Sequence, residues 1–303
     1  MLKRLASRVL PALALVSLAV AAPGCKKGSD SGGEAPGGAA GAGGAAAPAS
    51  DEISLRYKPG AAKLKESGKL SLKISGGQSG GANVDIVGTL DVSDAGGDKL
   101  KVAYKIDAVN DVSFTGVLQP KPKEGEEPKD PKAELLKASG ARLVDLRGEA
   151  DEDASKALPE NKKPEGEGGG MAGELGEFLG LPELPETNLK VGAPVTKERE
   201  TEEDLGGMKI PIDEESTYTL VKIDDASGKR LAEIKIEKEG SGAVEMPQGG
   251  GLLSIDQVSE MVLVFNLDDQ LPVSLHIEQT TAFSAGSQGG ETQVKIDATY
   301  EQL

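Results

Sequence analysis

Four groups of residues in this chain have types and spacings that chemistry uses. The first is His276, the only histidine among 303 residues, in Val273-Ser274-Leu275-His276-Ile277. Val273, Leu275 and Ile277 point to one face of a strand, so His276 points to the other, toward solvent or a second layer. As a general base it needs a nucleophile and an orienting acid nearby. The second is Gly77-Gln78-Ser79-Gly80-Gly81, which has the form of a serine-hydrolase elbow. That motif requires a strand-to-helix turn over a parallel sheet; here it joins two alternating stretches and reads as a hairpin loop. The third is the pair of carboxylate clusters Asp91-Val92-Ser93-Asp94 with Asp98, and Asp151-Glu152-Asp153 with Ser155. Both offer oxygen ligands, yet neither keeps the alternating order with a terminal glutamate that a calcium hand uses, and turns employ the same residues on their own backbone. The fourth is Cys25, the only cysteine. One histidine and one cysteine leave zinc with too few ligands. No phosphate-cradling glycine loop and no dinucleotide fingerprint occurs, so no cofactor and no metal is expected. A glycosidase-type carboxylate pair would lack aromatic subsites. The expectation is a chain that is not an enzyme.

The surroundings of Cys25 give it a different use. Lys3, Arg4 and Arg8 are followed by an apolar run from Val9 to Ala22 and by Gly24-Cys25. A basic start, a short hydrophobic stretch and a small-residue processing site describe an export signal. The run is about 14 residues, short of the roughly 20 that span a bilayer as a helix. Residues 1–24 resemble a bacterial lipoprotein signal peptide. The resemblance implies that Cys25 is acylated, becomes the first residue after cleavage, and holds the protein on a membrane through several acyl chains, where one would bind only marginally. Lys26 stands where an Asp would imply retention at the inner membrane, so the resemblance favours the outer membrane or the cell surface.

Charge narrows the partners. Three of the 34 basic residues lie in the first 24, so the remainder carries 31 basic against 50 acidic side chains, a net of −19. Such a chain repels nucleic acid and anionic membrane surfaces. Only 3% of residues are aromatic and none is Trp, so stacking platforms for bases or sugars are not expected. The remaining candidates are an envelope protein partner or an apolar ligand.

Behind these residues stand the elements that must position them. Residues 25–50 are almost wholly Gly, Ala, Ser and Pro beyond Lys26-Lys27, a flexible tether with an r.m.s. span of about 25–30 Å. From 51 to 303 the chain reads as a β-rich domain with period-two alternation. Ile53, Leu55 and Tyr57 alternate, then Leu70 to Ile74, Val84 to Val92, Leu100 to Ile106, and Val112 to Leu118. An insertion around 121–170 reads as solvated and disordered apart from a helical turn or two over Ala133 to Ala138. Residues 141–150 fit strand or helix. Met171, Leu175, Phe178 and Leu179 share one face of a short helix. Beyond Leu189, an acidic edge strand from Val195 to Glu203, alternation around Pro211, a hairpin at Asp224 to Gly228, a short Leu252 to Ile255 strand, a doubly covered central strand from Met261 to Leu267, and a closing run to Tyr300 follow. About a dozen strands and little helix predict a mainly β fold, a large curved antiparallel sheet or incomplete barrel with one short packed helix. In general plan residues 190–303, with Lys190-Val191-Gly192 and paired hairpins, resemble uncharacterised envelope lipoprotein domains and lipoprotein-carrier half-barrels. That likeness implies an apolar face able to carry lipid-like ligands, and it has no residue-level motif.

Overall fold

Strands alternate with tight turns along most of the chain, and each turn returns the next strand beside the last. The computed structural model describes residues 52–77, 79–119, 130–161, 180–205, 208–226, 228–245, 251–285 and 288–303. The signal sequence, Cys25, the tether, Lys121 to Lys129 and the Met171 to Leu179 stripe lie outside the described residues. Strands are β1 (Glu52–Ile53), β2 (Ala62–Gly76), β3 (Gly80–Gly96), β4 (Lys99–Gly116), β5 (Ser139–Asp145), β6 (Leu189–Lys190), β7 (Val195–Leu205), β8 (Met208–Ala226), β9 (Lys229–Glu245), β10 (Leu252–Asn266), β11 (Leu271–Ala285) and β12 (Gln288–Gln302). Two short helices, α1 (Pro131–Leu135) and α2 (Glu152–Lys156), and one 3-10 turn complete the described elements.

Ten strands form one open, wholly antiparallel sheet in the order β5-β4-β3-β2-β12-β11-β10-β9-β8-β7, and β1 pairs with β6 apart from it. The chain therefore enters at the middle of the sheet, runs to one edge, crosses to the opposite edge and works back. Its last strand lies between β11 and β2. Both edges are poor templates for a further strand. β5 has only seven residues, and β7 carries Lys197, Glu198, Arg199, Glu200 and Glu202, the charged edge that its composition predicts.

One face holds the core. Leu64, Leu70, Leu72 and Ile74 of β2 share it with Val84 and Leu90 of β3, Leu100 and Ile106 of β4, Ile234 and Ile236 of β9, Leu263 and Phe265 of β10, and Ile296 of β12. Between β5 and β7 the chain must cross this face. Leu146, Ala150, Leu181, Leu184 and Leu189 pack into the core on the way, and Leu184 N–H reaches Arg147 O at 2.7 Å.

Several sequence expectations change. Leu55 and Tyr57 are buried as an alternating strand would bury them, but only Glu52–Ile53 is strand; Tyr57 N–H bonds Leu146 O at 2.6 Å, and the segment docks on the crossing chain instead of a ladder. Residues 151–161 are ordered, not disordered: Asp151 caps α2 by accepting from Ala154 N–H at 3.0 Å, and Asn161 bonds the backbone of Ala141. Caps of this kind hold a short helix that propensity would not. Residues 139–145 are strand. Val112 and Phe114 do not open a new strand. They continue β4 after two register shifts, near Val87/Gly88 and Asp85/Ile86, which restore the apolar phase, and Asn110 Nδ2 donates to Asp85 at 2.8 Å there. Nor is the central strand of Met261 to Leu267 covered on both faces. Val262 and Val264 are half-buried while Met261, Leu263 and Phe265 are buried.

The turn after β4 depends on Gly116, at φ +61°. A Cβ built there falls 2.0 Å from Ser79 O and 2.8 Å from Gly80 Cα, both backbone. Gly116→Val is expected to lower stability by about 1–3 kcal/mol through strain alone, with more from the contact, read as a shift in the urea midpoint.

Candidate functional site

The residues singled out by type do not converge. His276 lies on the outer face, its side chain one-third exposed, with Nδ1 2.6 Å from Asp297 Oδ1 and Nε2 3.4 Å from Glu278. Lys295 Nζ holds the same Glu278 at 3.0 Å. The orienting acid that a catalytic histidine needs is present, but Nε2 faces a carboxylate in place of a hydroxyl. The group is a surface ion network of the kind that adds little stability. Lys295 and His276 together hold the Glu278 carboxyl below its usual range, the lysine contributing more.

Ser79 sits between β2 and β3, two antiparallel strands, with its carbonyl accepting from Val117 N–H at 3.1 Å. Asp94 is spent on Gly96 N–H at 2.7 Å, and Asp98 occupies the left-handed turn position at φ +58°. Asp151 caps α2 and pairs with Lys99 at 2.6 Å, while Ser155 exchanges hydrogen bonds with the backbone of Leu143. Among the described residues no group of three or more His, Cys, Asp or Glu is placed to hold a metal ion. None of the described helices is long and apolar enough to cross a membrane.

The inner face holds a centre that these motifs do not include. In β2 the inward positions are apolar except Glu66 and Gly68. Glu66 is 1% exposed and lies opposite Tyr300 on β12. Gly180 on the crossing chain donates its N–H to the carboxyl, and Gly180 O accepts from the Tyr300 hydroxyl at 3.3 Å. Nearby, Tyr57 OH donates to Pro182 O at 2.5 Å and its ring meets Phe265 edge-on at 5.7 Å between centroids. Burial pushes the Glu66 carboxyl up to about 8, against the Gly180 and Tyr300 hydrogen bonds that pull it down. Burial likewise raises the hydroxyls of Tyr57 and Tyr300 well above the usual tyrosine range, with Glu183 adding to the first and Glu66 to the second. Glu66 Oε2 has no hydrogen-bond partner among the described residues. At neutral pH this carboxyl is protonated, because an ion in such a site would lose its hydration with no cation among the described residues in compensation. A neutral carboxyl can give its proton to the Tyr300 oxygen, which frees the Tyr300 hydrogen for Gly180 O. An acid in phase with Leu64, Leu70 and Leu72 is the sequence signal that would have found it.

A second polar group spans β7 to β9 on the same face. Arg199 Nη2 and Nε lie 2.8 and 2.9 Å from Glu214 Oε1, which also accepts from Ser216 Oγ at 2.9 Å, with Lys238 Nζ at 3.9 Å. Glu183 of the crossing chain is raised by burial, partly offset by Lys238 and Arg199. This group continues through Gly240, Gln257, Thr281 and Thr292 on successive strands. Beyond that band lies a separate apolar cluster of Ile210, Ile212, Leu253 and Ile255. An open groove of about 700 Å³ crosses β7 to β10 at this level, lined by Arg199, Glu214, Gly240 and Gln257 together with exposed carboxylates such as Glu198, Asp213, Glu215 and Asp256, which alternate with them along the strands.

No family model matches the chain, and no curated protein matches it in sequence.

Proposed function

We propose that this is a non-catalytic, lipid-anchored protein of a bacterial cell envelope, held at a membrane, the outer one, by acyl chains on Cys25 and presenting its sheet as a structural or partner-binding surface. The sequence Met1 to Cys25 carries the reading: a basic start, a short apolar run and a small residue before the chain's only cysteine. It agrees with a long Gly/Ala tether ahead of the first strand, and with side chains of catalytic type that are engaged in turns, caps and ion pairs.

The test uses the full-length protein in a bacterial host fed radiolabelled fatty acid. Label is expected in the wild type, which sediments with membranes, and Cys25→Ser should lose both label and sedimentation. Equal labelling of the two would remove the anchor. Turnover of an ester, glycoside or peptide substrate, abolished by a single carboxylate or serine substitution, would remove the non-catalytic reading.

A second reading has one observation in its favour. Among the described residues, the apolar inner face lies under a crossing chain whose only strand pairing is the two-residue β1–β6 ladder, which is an arrangement that a lipid-like ligand could exploit. Mass spectrometry of the purified protein should then find lipid in stoichiometric amount, and a lipid-free preparation would dismiss the idea.

A further inference from the structure

We propose that Gly180–Pro185 is a proton-controlled strap: a neutral Glu66 holds it down on the inner face, and loss of that proton lifts it locally, uncovering the apolar surface beneath. This rests on the contacts of the strap itself and is independent of the membrane anchor.

Among the described residues, four hydrogen bonds latch the segment. Gly180 offers its N–H to Glu66 and its carbonyl to Tyr300, Pro182 O takes the Tyr57 hydroxyl at 2.5 Å, and Leu184 N–H reaches Arg147 O at 2.7 Å. Three of the four involve the Glu66, Tyr300 and Tyr57 side chains, and the Tyr300 hydroxyl has only one hydrogen to give. While Glu66 is protonated, that hydrogen serves Gly180 O. When Glu66 is ionised, the hydrogen is drawn to the carboxylate and Gly180 O loses its donor. The Oε2 lobe, without a partner among the described residues, then also requires water. Strands β2 and β12 are fixed by ladders on both sides, whereas the strap is held by isolated hydrogen bonds and by the packing of Leu181 and Leu184. Lifting the strap exposes Leu184 but breaks fewer hydrogen bonds than opening either ladder, so it is the route by which the carboxylate is hydrated.

The charged surroundings do not reverse this. Tyr300 faces Glu66 from β12, Tyr57 stands beyond it from the N-terminal segment, and Glu183 on the strap acts on Tyr57. None supplies a positive charge. Arg199 and Lys238 act on Glu183, at the far side of the strap.

The sign follows from linkage. With the strap closed the Glu66 carboxyl titrates near about 8, and with it open near its ordinary value of 4.5. The closed strap therefore binds a proton that the open strap has released throughout that window. The opening equilibrium should rise about tenfold per pH unit between these values and level off above the upper one.

The experiment is amide-resolved hydrogen exchange on the full-length protein from pH 5 to 9, corrected for intrinsic exchange, reading Gly180 and Leu184 against core amides of β9 and β10. The strap amides are expected to open about tenfold more per unit up to pH 8 and to exchange well ahead of the core, and Glu66→Gln should flatten the dependence. Strap amides that open independently of pH, or only in step with the core, overturn the proposal. The comparison of strap with core is made in the wild type, so it decides the matter even if the variant folds poorly.

Discussion

Ending the chain after Ala285 is expected to abolish folding. A terminal strand is often dispensable, but this one lies in the interior of the sheet, paired along its length with β11 on one side and β2 on the other. It brings Val294, Ile296, Ala298 and Tyr300 into the core. Burial of a Val, Ile or comparable side chain contributes about 1.5–3 kcal/mol each. Together with two lost ladders, the removal exceeds the roughly 5–15 kcal/mol by which a domain is stable. It also parts the β2–β5 half from the β7–β11 half, since β12 is their only neighbour in common. The truncated chain should show no cooperative urea transition by circular dichroism. A transition with an unchanged slope and a midpoint near that of the full chain would contradict this placement of β12.

Replacing Glu66 by Gln should stabilise the protein, increasingly so as pH rises. The folded carboxyl titrates near about 8 and the unfolded one near 4.5, so over that interval the folded state holds a proton that the unfolded state has given up. Stability then falls by about 1.4 kcal/mol per pH unit, to a total on the order of 4 kcal/mol by pH 8, and is flat above it. Below pH 4.5 both states are protonated and the variant gains nothing. Local release of the strap would cap the loss, since ionisation then proceeds without global unfolding. Acidic groups whose folded affinity for protons is lowered, such as Asp107 through its Thr89 hydrogen bond and Asp268 through Arg230, slope the other way. They are shared by both proteins and cancel in the difference. Urea denaturation of the two at pH 4.5, 6 and 8 measures it, and a pH-independent difference would show that Glu66 is not the group responsible.

The polar residues that broke the sequence pattern explain where strand boundaries were misread. Leu252 to Ile255 and Met261 to Leu267 read as separate strands because Gln257 and Ser259 interrupt the apolar phase; both belong to β10. Glu214 and Ser216 divide β8 in the same way, and Glu66 with Gly68 conceals the first half of β2. In each case the ladder runs on, since backbone hydrogen bonds need no apolar side chain. The inward polar groups are accommodated by one another: Arg199 and Ser216 on Glu214, Tyr300 and Gly180 on Glu66.

Composition and local pattern determined that the chain is mainly β and antiparallel, that β7 is a charged edge, that Ser79 lies in a hairpin and that His276 points outward. All of these follow from period-two alternation, turn residues and charge within a few positions of each other. The same local reading supplies the export-type start and Cys25, and with them the proposed anchor. Tertiary structure alone decided that the last strand joins the first long one, that a crossing chain covers the inner face, and that Glu66 meets Tyr300 and Gly180 there. Those contacts join residues more than a hundred positions apart. Their energies arise from desolvation and pairing that exist only once the sheet has assembled, so no local window of sequence contains them.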